Sequence, residues 1–161
     1  MKVLSTYLIA VCLTAVCVKA QDATTARTTE RSRAGSQDAV VDYYDSMSDY
    51  FRQSQRAIMA INKKGIPDQE IPAVLLIARK SSASPNQIID ARKSGKEWAE
   101  IAKQNNVRLA GNDFVREANI TFLSEYHGRP ADQVRAMIDK GSTYIAANQE
   151  LRRGGKAAPQ R

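Results

Sequence analysis

The sequence predicts an all-α domain, and three observations predict it. Apolar residues recur at three- and four-residue spacing through most of the chain. Residues suited to open and close helices stand between the repeats, notably Ser84-Pro85-Asn86-Gln87 and the glycines at 65, 95, 128 and 141. No segment shows a two-residue alternation, so no sheet is expected. The composition agrees: 43% apolar, 25% charged and a net charge of +7 over 161 residues fit a globular chain rather than a collagen-like or disordered one.

The first twenty residues have their own character. Lys2 precedes an uncharged, mostly apolar run from Val3 to Val18, and Val18-Lys19-Ala20 sets small residues ahead of Gln21. That is the layout of a secretory signal peptide cut after Ala20. The run is too short for the hydrocarbon core of a bilayer, and no later stretch could span one. Both cysteines, Cys12 and Cys17, lie inside the leader. The mature chain then has no disulfide and relies on an ordinary core. The expected location is periplasmic or extracellular.

Residues 21–35 hold Thr, Arg, Ala and Ser without a large apolar side chain, so they read as a disordered tether. Residues 152–161 read as a disordered basic tail, leaving one helical domain over 36–151. It begins with one longer helix from Ser36 to Gly65. Val40, Tyr44, Met47, Phe51, Ile58 and Ile61 form its stripe, interrupted at Ser54. Asp38, Asp42, Asp45 and Asp49 near its start and Lys63 and Lys64 at its end complement the helix dipole.

Two three-helix units follow. Asp68 is placed to cap the first helix, with Ile71, Val74, Leu75 and Ala78 as its stripe. Ser84, Pro85 and Gln87 form a capping box with proline at the first helical position. Ile88 and Ile89 follow, then a short helix bearing Trp98, Ile101 and Ala102. In the second unit a helix over 112–126 carries Val115, Ala118, Phe122 and Tyr126. Pro130 opens the next, with Val134, Met137 and Ile138. Ser142 is placed to cap the last, lined by Tyr144, Ala147, Asn148 and Leu151. A shift of 46 residues brings Gly65 onto Gly111, Gln87 onto Gln133, Gly95 onto Gly141 and Trp98 onto Tyr144, which suggests a structural repeat.

Catalytic and metal chemistry find little footing. With His127 the only histidine and no cysteine after the leader, zinc sites and Cys–His nucleophiles are not expected. No nucleotide-binding loop or nucleophile motif occurs, so no cofactor is expected. His127 ends a helix, where a capping role outweighs general-base work. Glu97 and Glu100, three apart, read as a solvated face rather than a glycosidase pair. The sequon Asn119-Ile120-Thr121 falls within a helix and reads as coincidence.

The segment Ser94 to Val107 (SGKEWAEIAKQNNV) resembles the first helix and turn of a helix-turn-helix DNA-binding unit. That resemblance implies a recognition helix next. Phe114-Val-Arg-Glu-Ala has little basic or amide character for base edges, and an exported chain does not meet the chromosome. The expectation is a shared helical-hairpin solution, without nucleic acid as partner.

The functional expectation is an exported, non-catalytic helical module for protein or cell-envelope binding or scaffolding. Its partner would be a protein or an anionic envelope component drawn by the basic surplus. An enzyme with a carboxylate-based site is the alternative, and a nucleic-acid binder a remoter one. Tyr43 and Tyr50, seven apart, are the candidate binding residues, because they flank the stripe and supply contact area at low entropic cost.

Overall fold

The computed structural model describes residues 37–109 and 111–155. The leader, the whole of the tether and the last six residues lie outside them. Contacts divide the chain into units 1–38 and 39–161, and the second holds the packed helices. The described residues are helical, with no strand among them. In order they form α1 (37–51), α2 (Gln55–Lys63), a 3-10 turn (Asp68–Glu70), α3 (Ile71–Lys80), α4 (Pro85–Lys93), α5 (Trp98–Gln104), α6 (Phe114–His127), α7 (Ala131–Asp139) and α8 (Tyr144–Arg153).

The expected single helix from 36 to 65 is two helices. Arg52 sits at φ 54°, in the left-handed region that ends a helix. Ser54 is extended and accepts the amide of Ala57 through its hydroxyl at 3.2 Å, capping α2. The interruption of the stripe at Ser54 is therefore a helix start. The buried face of α1 is also turned from the expected one. Ala39, Tyr43, Met47 and Phe51 are buried, while Val40 and Tyr44 are partly exposed.

Asp68 caps nothing. Its carboxylate accepts from the Tyr44 phenol at 2.6 Å and from Asn62 Nδ2 at 2.7 Å, so it ties α1 and α2 to the 3-10 turn. That turn leads into α3, whose residues Ile71–Ile77 are all buried. Such a helix is apolar all round because neighbours surround it; α4 and α6 are its principal ones. Pro72 sits in its first turn, where a missing N–H costs least.

The capping box of α4 is formed as expected. The Ser84 hydroxyl accepts from Gln87 N at 3.4 Å, and Gln87 Oε1 accepts from Ser84 N at 2.8 Å. Ile88 and Ile89 behind it are each 1% exposed. Ser84→Ala should therefore cost about 1 kcal/mol, and Ile88→Ala about 2–5 kcal/mol. Urea melts followed by circular dichroism read both; equal and near-zero losses would contradict this placement of α4.

The two trios run parallel in their helix bounds. At an offset of 46 residues, Pro85–Lys93 corresponds to Ala131–Asp139, and the starts of α5 and α8 coincide. Gly95 and Gly141 have φ of 92° and 94°. Both follow a helix end where a β-carbon would strain the backbone. The trios differ at their first helix, which is a 3-10 turn plus α3 in one and the continuous α6 in the other. Asp113 caps α6, and Thr143, not Ser142, caps α8. Helix α8 also runs on to Arg153, past the expected end at Leu151. Arg152 reaches Asp42 at 2.6 Å, and Arg129 donates to the carbonyls of Gly154 and Gly155.

Candidate functional site

The two tyrosines expected to bind a partner differ in their surroundings. Tyr43 is fully buried. Its phenol donates to Asn119 Oδ1 of α6, and its ring meets Phe122 edge-on at 5.7 Å. Burial pushes that phenol well above its ordinary pKa, so it remains a hydrogen-bond donor. Tyr43 is a core residue, and the expectation that it flanks the core is corrected: α6 covers the face of α1 on which it lies.

Tyr50 is half-buried, its ring packed on Phe51 and Phe122. Its phenol donates to Glu125 Oε2 at 2.5 Å and accepts from Arg79 Nη2 at 2.5 Å. The Arg79 guanidinium lies 4.3 Å from the centre of the same ring. Burial first, and then the hydrogen bond to Glu125, push the phenol up to about 12, against the opposing pull of Arg79. Its polar atom is thus engaged within the chain, clamping α1 to α3 and α6.

The catalytic candidates are occupied too. His127 is 1% exposed, and its Nε2 lies 2.9 Å from Asn148 Oδ1 on α8. It is placed between helices, out of reach of a substrate, and Gly128 at φ 62° provides the helix stop. Glu97 and Glu100 are exposed; Glu97 lies 3.7 Å from Arg92, and Glu100 accepts from Gln104. Asn119 of the sequon is fully buried, with Nδ2 donating to the carbonyls of Gln69 and Val115, each at 2.8 Å. No glycan could reach it in the folded chain. Among the described residues no cluster of His, Cys, Asp or Glu could hold a metal ion, and no helix is long and apolar enough to cross a membrane.

The helix-turn-helix likeness stops at α5. Nine residues separate Gln104 from Phe114, and the helix that follows is the buried α6, with Ala118, Ile120, Phe122 and Leu123 in the core. A recognition helix has to project from the surface into a groove.

A different surface carries the exposed apolar area. The large apolar side chains exposed among the described residues are Val41 on α1, 55% exposed, and Met59 on α2, 48% exposed. Both line one groove of about 340 Å³, together with Val40, Tyr44 and the polar rim of Gln55, Asn62, Lys63 and Asp68. The walls are held in place. Gln55 reaches Asp45 across them, and Asp68 takes up both the Tyr44 phenol and Asn62 at one end. With its phenol engaged there, Tyr44 presents mainly ring to the groove. Sequence reasoning passes over Val41 and Met59 because neither fits the buried stripe. That misfit is itself the signal: each is a large apolar residue off the core rhythm.

A wider depression beside the loop between α5 and α6 includes the exposed Lys103 and Arg108, but it borders residue 110, which lies outside the described residues. Neither cation has an ion pair or side-chain hydrogen bond among the described residues. The α1–α2 groove is the one that gathers the exposed large apolar side chains. No protein-family model, no curated protein and no solved structure matches the chain.

Proposed function

We propose that the chain is an exported, non-catalytic helical module that binds another protein through the groove between α1 and α2. The observation that carries this reading is the meeting of Val41 and Met59 in that one groove, the former 55% and the latter 48% exposed. Two helices with an apolar floor and a polar rim suit an amphipathic helix laid between them. Methionine adds an unbranched, polarisable side chain that adapts to a partner's shape. The export part rests on the first twenty residues, a short basic start, an uncharged run and small residues before Gln21.

One experiment reads both parts. A photo-crosslinking residue is placed at position 41, at 59, or at the exposed control position Lys140, and the chain is expressed with its leader in an exporting host. Mass spectrometry should find a mature N-terminus at Gln21. Protein adducts should form at 41 and 59 and not at 140. A retained Met1 on soluble cytoplasmic chain would overturn the export reading. Adducts no more abundant in the groove than at 140 would overturn the binding reading.

A further inference from the structure

The two helices that flank the groove carry opposite charge. Within 37–51, α1 has four aspartates and no basic residue, whereas α2 has Arg56 and Lys63 and no acid. Inside the chain these charges are not matched to one another. Asp42 pairs with Arg152, Asp45 has the neutral amide of Gln55, and Asp49 accepts from the Tyr126 phenol. Arg56 and Lys63 have no ion-pair partner among the described residues. The groove, lined by Lys63 and Asp68 among its charged residues, thus lies between a helix rich in aspartate and one whose basic residues are unpaired.

We infer that the occupant of this groove is the same groove of a second copy of the chain. The inference rests on the reading of the groove as a protein-binding surface. Identical chains that meet through one patch do so about a two-fold axis, each contact occurring twice. Face to face, that axis can run across the groove or along it. Across the groove, α1 would meet α1 and α2 would meet α2, setting acid on acid and base on base. Along the groove, α1 of each copy meets α2 of the other. Val41 then faces the partner's Met59 at the centre. Asp45, level with Gln55 in its own chain, faces the partner's Arg56 at the margin. Charge selects the second arrangement, and like-charge repulsion excludes the first. A dimer of this kind depends on concentration.

Sedimentation velocity of the chain, purified after expression with its leader, tests this. The wild-type weight-average mass should rise toward twice the monomer value as concentration increases. Asp45→Lys alone sets a cation against the partner's Arg56, and Arg56→Glu alone sets a carboxylate against the partner's Asp45. Each variant should need at least tenfold higher concentration to associate, with its circular dichroism unchanged. An equimolar mixture of the two should regain association. In the mixed dimer one margin keeps its original Asp45–Arg56 pair, and the other sets the new lysine against the new glutamate. A wild type that stays monomeric, single variants that associate like wild type, or a mixture no better than its components would each overturn the second copy as occupant. The protein-binding reading would survive those results if crosslinks at 41 and 59 still captured a different protein, and it would fall with them if no adduct formed.

Discussion

Phe122→Ala is expected to destabilise the domain by about 3–5 kcal/mol, at the upper end of what core truncations cost. Phe122 has no exposed surface. Its ring lies 5.3–6.1 Å from the ring centres of Tyr50, Phe51, Tyr43 and Tyr126, so one side chain joins α1 to the middle of α6. These neighbours cannot collapse freely into the space it would leave. Tyr43 is held by Asn119, Tyr50 by Arg79 and Glu125, and Tyr126 by Asp49. Cavity cost grows when the walls are pinned in this way. Urea unfolding should show a large fall in midpoint with an unchanged slope, and Phe122→Leu should lose much less. A loss below about 1 kcal/mol for Phe122→Ala would mean that α1 does not pack on α6 as described.

The difference between what is legible in the sequence and what is not follows from the range of the deciding interaction. The start of α4 is legible because Ser84, Pro85 and Gln87 complete their capping box within four residues. The turns at Gly95 and Gly141 are legible because a local backbone requirement names the residue. The orientation of α1 is not. Val40 and Tyr44 compete with Ala39 and Tyr43 for the inward side, and each pair fits a helical period. The choice is made by Asn119 and Phe122, which lie more than seventy residues further along the chain. The helix break at 52–54 is half legible. Ser54 stands out as a gap in the stripe, yet a polar residue in a helix and an N-cap look alike until the backbone is seen. Of the candidate site, the tyrosines stand out by being aromatic. Val41 and Met59 need knowledge of which sides of α1 and α2 the rest of the domain leaves uncovered.

The second large effect is expected at Asn119, which does for the polar interior what Phe122 does for the apolar one. Its side chain is fully buried and engaged on both ends: Oδ1 accepts from the Tyr43 phenol, and Nδ2 donates to the carbonyls of Gln69 and Val115. One residue of α6 thereby fixes α1 and the 3-10 turn ahead of α3. Truncation leaves the buried Tyr43 phenol where water cannot easily reach it. The phenol of Tyr43 keeps its proton, because burial holds its pKa well above the ordinary value, and it would have lost its acceptor. The Gln69 carbonyl would lose this donor. The orphaned phenol costs about 1–3 kcal/mol, so Asn119→Ala should cost roughly 2–4 kcal/mol once the missing side-chain volume is included. Tyr43→Phe removes only the hydroxyl and orphans Asn119 Oδ1, for about 1–3 kcal/mol. The double variant separates a network from two independent losses. With the phenol already gone, Asn119→Ala orphans one group fewer, so the two changes together should cost less than their sum by about 1 kcal/mol or more. Urea melts of the four chains close this cycle. Strict additivity would show that the Tyr43–Asn119 bond does not orient α1, leaving ring packing on Phe122 as the cause of its buried face.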